Sequence, residues 1–101
     1  MKPHEIVDIL SHKRSLLQAK GVQHLALFGS RARGEAREDS DLDVLIDVDP
    51  ALPKFSLVDL ARIANLLTDM TGIEANPIER RMLAKDPRFS ARIADDIIEI
   101  F

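Results

Sequence analysis

Ile6, Ile9, Leu10, Leu16 and Leu17, with Lys13 in the same stripe, recur at helical spacing, while Glu5, Asp8 and Arg14 fall elsewhere on the wheel. This pattern predicts an amphipathic helix over roughly residues 3–19, ended by Gly21. Val22 to Phe28 is nearly continuous apolar sequence and reads as a buried strand, broken at Gly29. Ser30 to Arg33 then reads as one helical turn, stopped near Gly34, and Glu35 to Ser40 as a polar loop. A second strand is expected over Asp41 to Val48, with Asp49-Pro50 and Pro53 marking the loop after it. The next helix has clear start signals: Ser56 as cap, Asp59 three residues on, and Phe55 with Leu60 at the positions of a hydrophobic staple. Leu60, Ile63, Leu67 and Met70 form its apolar stripe, which ends at Thr71-Gly72. Ile73 to Ile78 is a short strand whose Pro77 suits an end or an edge. Asp86-Pro87 starts a last helix that runs to about Asp96, and Ile97 to Phe101 returns as a short edge strand. The order of helix, strand, turn, strand, helix, strand, helix describes an α/β (α+β) layer architecture around a small sheet.

One constellation in this frame carries chemistry: Gly29-Ser30, ten residues, then Asp41-Leu42-Asp43. Side chains two apart on a strand share a face, so Asp41 and Asp43 point to one side while Leu42, Val44 and Ile46 point to the other. Two adjacent carboxylates are costly without a cation. Hard oxygen ligands of this kind suit magnesium that also takes oxygens from a substrate's phosphates. The Gly-Ser turn supplies the phosphate end, because backbone N–H groups at a helix start attract anions. Taken alone, the Asp-x-Asp pair reads rather as a polar strand start paired with Arg31, Arg33 or Arg37. The Gly-Ser turn at this spacing is what favours a site. A calcium loop counted from Asp39 fails, since Val44 and Pro50 stand where Gly and Glu are required. A P-loop fails because Gly34 is followed by Glu35-Ala36.

Composition narrows the setting. The 101 residues suit one small domain, 1–101, with 46% apolar residues and therefore a packed core. Net charge is −3, so there is no global pull toward nucleic acid, and basic character is local to Arg31, Arg33 and Arg37, which taken singly read as solvated surface or local salt bridges. With no cysteine, disulfides and thiolate metal sites are excluded, and the composition fits a reducing cytoplasm. The apolar runs are too short to span a bilayer, and no signal-peptide pattern is expected at the N-terminus. His4, His12 and His24 show no ligand spacing. Met70 and Met82 fit core positions, and Ser40 reads as a turn residue.

The stretch Phe28-Gly29-Ser30-Arg31-Ala32-Arg33-Gly34, followed by Ser40-Asp41-Leu42-Asp43, resembles the minimal nucleotidyltransferases of the polymerase-β-type superfamily. The resemblance extends from the leading helix to the C-terminal tail. It implies a small mixed sheet flanked by helices, two Mg²⁺ ions, ATP as substrate and AMP as the group transferred. Such proteins commonly act as antitoxins of HEPN-domain toxins, transferring AMP to a toxin tyrosine, so a HEPN-type toxin is the implied partner. The family's third carboxylate falls in Gly72-Ile73-Glu74-Ala75-Asn76-Pro77, where Glu74 stands and Asp is expected; Asn76 is a weaker possible ligand. In the enzymatic reading Asp41, Asp43 and Glu74 are the catalytic and metal-holding set. Gly29 and Ser30 take the phosphates, and Arg31 or Arg33 offsets triphosphate charge. The rival reading is an antitoxin that neutralises its toxin by complex formation alone; transfer to a small molecule or an RNA end is weaker.

Overall fold

The computed structural model describes residues 1–51 and 55–101. Its elements are α1 (Pro3–His12), α2 (Arg14–Ala19), β1 (Val22–Phe28), α3 (Ser30–Arg33), β2 (Leu42–Val48), α4 (Leu57–Thr71), β3 (Ala75–Glu79), α5 (Arg80–Leu83), α6 (Pro87–Ile93), a 3₁₀ turn (Ala94–Asp96) and β4 (Ile98–Glu99). The four strands lie in the order β3-β2-β1-β4. β1 runs antiparallel to β2 and β4, while β2 and β3 are parallel. A parallel pair needs a crossover, and α4 supplies it. The expected mixed sheet flanked by helices is what the chain forms.

Strand alternation gives the sheet two apolar faces. Leu25 and Leu27 of β1 with Leu42, Val44 and Ile46 of β2 pack against Ile6, Leu10, Leu17, Ile63 and Leu67 from α1, α2 and α4. Ala26, Phe28 and Leu45 face the other way, onto Leu83 and Ile93. Phe28 and Phe89 meet edge to face there, with ring centres 6.2 Å apart. Asp43, between Leu42 and Val44, shares this second face.

Several elements depart from the pattern-based expectation. The helix expected over 3–19 breaks at Lys13 (φ −102°, ψ 11°), whose N–H turns back to the Leu10 and Ser11 carbonyls. The two halves serve different neighbours, α1 packing on α4 and α2 on β1. Leu17 is fully buried by that turn, whereas Leu16 stays 42% exposed. β2 begins at Leu42, so Asp41 precedes the strand, and β3 covers 75–79 rather than 73–78. The short α5 was not anticipated, and it reverses one expectation: Met82 is 50% exposed while its neighbour Leu83 is buried. A four-residue helix turns only one side inward, and Leu83 occupies it. The last helix ends at Ile93, and the C-terminal strand shrinks to Ile98–Glu99 beside Ala26 and Leu27.

The start of α4 forms as expected. Ser56 accepts from the Asp59 N–H, and the Asp59 carboxylate accepts from the Ser56 N–H at 2.9 Å. The loop after β2 begins at Asp49-Pro50 as expected, while Pro53 lies outside the described residues. No helix among the described residues is long and apolar enough to cross a membrane.

Candidate active site

β1 ends at Phe28, and the chain leaves the sheet through Gly29 at φ 76°, ψ −157°, a conformation that glycine alone adopts readily. The approach to β2 is equally tight. A Cβ built on Gly29 would stand 2.7 Å from Asp43 Oδ2, closer than real atoms come. Glycine therefore lets the turn press directly against the Asp43 carboxylate. Ser30 follows as the first residue of α3; its carbonyl accepts from the Glu35 N–H at 3.0 Å. Its hydroxyl makes no side-chain hydrogen bond among the described residues.

Register then decides which side chains share the site. Asp43 is level with Phe28 on β1 and with Asn76 on β3. One step earlier, Leu42 is level with Ala75, and its N–H donates to the Glu74 carbonyl at 2.8 Å. Glu74 thus lies just outside β3, level with Asp41, and both are exposed. Asp43 is partly buried, and no arginine or lysine forms an ion pair with Asp41 or Asp43 among the described residues. Burial pushes the Asp43 carboxyl above its ordinary value; the Asn76 amide acts the other way, the Asp41 charge raises it further, and the Arg33 charge lowers it. The structure brings Asp41, Asp43, Gly29 and Ser30 together. It does not gather three carboxylates: no group of three or more His, Cys, Asp or Glu side chains poised to hold a metal occurs among the described residues.

The arginines divide. Arg33 is engaged at 3.1 Å by Glu35 and at 2.9 Å by Asp96, which hold its guanidinium above the usual range. Arg31, expected at the solvated surface, is instead only 5% exposed. Its guanidinium donates to the Ser40 carbonyl at 2.8 Å and so ties α3 to the residue before Asp41. Ser40 is the turn residue expected, its hydroxyl accepting from the Arg37 N–H at 2.9 Å. Sequence reasoning missed Arg31's inward turn and underweighted Asn76; for Asn76 the available signal was its alternation with Glu74.

The described residues border at least two depressions. The larger, about 390 Å³, is bordered by Lys20, Asp59, Arg62, Asn65 and Asp69, away from the aspartates. The smaller, about 230 Å³, lies between α4 and β3 and reaches Asn76. Neither depression is bordered by Asp41 or Asp43.

A four-stranded mixed sheet with a Gly-Ser turn pressed on Asp43 is the arrangement that the resemblance to nucleotidyltransferases leads one to expect. Comparison with known proteins agrees: residues 5–99 match the nucleotidyltransferase domain family, and the chain belongs to that family. It is 37% identical over 97 residues, 95% of each chain, to a candidate protein adenylyltransferase of Methanocaldococcus jannaschii. Over 54 residues, 50% of this chain and 54% of the relative, it is 50% identical to the protein adenylyltransferase MntA of Thermococcus cleftensis. Among solved structures, a candidate minimal nucleotidyltransferase superposes with a TM-score of 0.75 at 32% identity, covering 97% of this chain and 95% of its own. A toxin–antitoxin structure with AMP-PNP shares the fold, with a TM-score of 0.65 at 13% identity, covering 100% of this chain and 73% of its own.

Proposed function

We propose that this nucleotidyltransferase moves AMP from ATP, with magnesium, onto a hydroxyl of a partner protein, the acceptor oxygen replacing pyrophosphate on the α-phosphorus with release of pyrophosphate and the hydroxyl proton, and that the partner is a HEPN-type toxin it restrains. The observation that carries this reading is the Asp43 carboxylate: partly buried, beside the Asp41 charge, against Gly29, and without a cationic side chain paired to it among the described residues. An all-oxygen pair beside a phosphate-accepting turn fits a hard divalent cation. Relatives named as protein adenylyltransferases support AMP as the group and protein as the acceptor. The HEPN toxin is supported by the family resemblance of the Gly29-Ser30 and Asp41-Leu42-Asp43 segments.

In this reading Asp41 and Asp43 hold the cation, two ions being the arrangement expected of the family, and Glu74 is the third carboxylate at the mouth. Held by Asp41 and Asp43, magnesium would offset triphosphate charge and would make the acceptor hydroxyl easier to deprotonate. Ser30 donates its hydroxyl to a phosphate oxygen, and Gly29 keeps the backbone close enough for that contact. Arg33 exchanges its Asp96 partner for phosphate. The second reading, neutralisation by complex formation alone, is favoured by the absence of a three-carboxylate cluster among the described residues.

Intact-mass analysis of a HEPN-type toxin incubated with the chain, ATP and Mg²⁺ separates the two. The expected result is a mass gain of one AMP with wild type, none with the Asp41→Asn, Asp43→Asn double variant, and a loss of orders of magnitude in rate with Glu74→Gln. An unmodified toxin that is still neutralised establishes the binding-only antitoxin. Equal modification by wild type and Glu74→Gln removes Glu74 from the site.

A further inference from the structure

Asn76 lies on β3 level with Asp43 on β2, and neighbours level across a ladder present their side chains to the same face. Strands about 4.7–4.9 Å apart let an amide and a carboxylate meet directly. On the opposite flank, Asp43 Oδ2 is turned to Gly29, where even a methyl group would collide with it. The carboxylate is thus bounded by the glycine turn on the β1 side and by an amide on the β3 side. Glu74, the sequence-based candidate, is a full pleat away and level with Asp41.

We propose that Asn76 is the positioning residue for Asp43: its amide N–H holds the carboxylate facing the Gly29-Ser30 turn, and its neutrality leaves Asp43 the single charge at that level of the sheet. The remaining Asn76 carbonyl oxygen is a neutral donor of the kind hard cations accept. The level placement of Asn76 beside Asp43 is a property of the fold; the consequence for a cation rests on the proposed function above.

The test is a double-variant cycle read by thermal melting in a chelator, together with Mn²⁺ titration. Asn76→Asp sets two carboxylates level and is expected to lower the melting temperature by about 2–6 °C. In the Asp43→Asn background the same change restores an amide–carboxylate pair, so that loss is expected to disappear. Asn65→Asp, on an exposed part of α4, serves as the control and is expected to show no such coupling. Asn76→Ala is expected to weaken Mn²⁺ binding about tenfold, the affinity equivalent of losing one hydrogen bond to a charged group. Asn76→Asp is expected to bind Mn²⁺ more tightly than wild type. An equal melting change from Asn76→Asp in both backgrounds, or Mn²⁺ affinity unmoved by Asn76→Ala, overturns the assignment. Coupling without AMP transfer leaves Asn76 in place and removes the proposed function; transfer without coupling does the reverse.

Discussion

Gly29 and Asp43 are separated by thirteen intervening residues, yet a Cβ on Gly29 would collide with the Asp43 carboxylate. The contact makes Asp43 a carboxylate the folded state ionises reluctantly, since burial is the largest cause of its raised pKa. The linkage follows directly. A carboxyl whose folded pKa exceeds its unfolded value binds more protons when folded, so its ionisation costs stability as pH rises through that interval. Asp43→Asn is therefore expected to melt at or above wild type at neutral pH in a chelator. That advantage should shrink as pH falls through the raised value and vanish below the unfolded one. Parallel melting curves from acid to neutral pH check the sign; a variant that is less stable at neutral pH contradicts it. The placement of Gly29-Ser30 against Asp43 was legible because the spacing is local and periodic. Asn76 was less so, because alternation shows which face it takes but only pairing shows which aspartate it meets. Arg31 was misread because a basic residue beside a loop resembles solvated surface, and what buries it is the Ser40 carbonyl nine residues away.

α4 both crosses over between β2 and β3 and packs the first core through Ile63 and Leu67. Its N-terminus leaves backbone N–H groups that only a cap satisfies. Ser56→Ala removes the bond to the Asp59 N–H, and a melting temperature lower by about 4–8 °C is expected, the usual effect of a lost cap in a domain this size. An unchanged melting curve would show that the staple of Phe55 and Leu60 is sufficient. The outer edge of β3 is blunted rather than open. Its Ala75 N–H donates to Thr68 Oγ1 at 3.0 Å, and Pro77 has no N–H to offer. The proline that marked an edge in the sequence is on an edge in the fold. The break at Lys13 was not legible. Helical periodicity continues through it, and the choice between one helix and two is made by what each half packs against.

Across the whole molecule the sheet separates two cores, and Leu45 occupies the centre of the smaller one with no exposure. Leu45→Ala is expected to cost about 2–5 kcal/mol, as truncation of a buried leucine does. Met82→Ala, at an exposed site, is expected to stay within about 0.5 kcal/mol. Chemical denaturation of both variants checks the contrast, and equal losses would place Met82 in the core after all. Arg80 joins distant parts of the chain by pairing with Glu99 at 2.8 Å and Asp47 at 3.3 Å. Likewise Asp96 reaches Arg33 from 63 residues away. By itself the sequence determined the element order, the α4 cap, the alternation of β1 and β2, and the turn-plus-aspartates grouping. Each of these rests on interactions within a few residues, where backbone sterics and periodicity act. The tertiary structure alone decided that Asn76 flanks Asp43, that Asp96 takes Arg33, that Leu83 rather than Met82 turns inward, and that the first helix divides. Those outcomes depend on strand register and on competition for buried volume between segments far apart in the chain, and local pattern does not encode either.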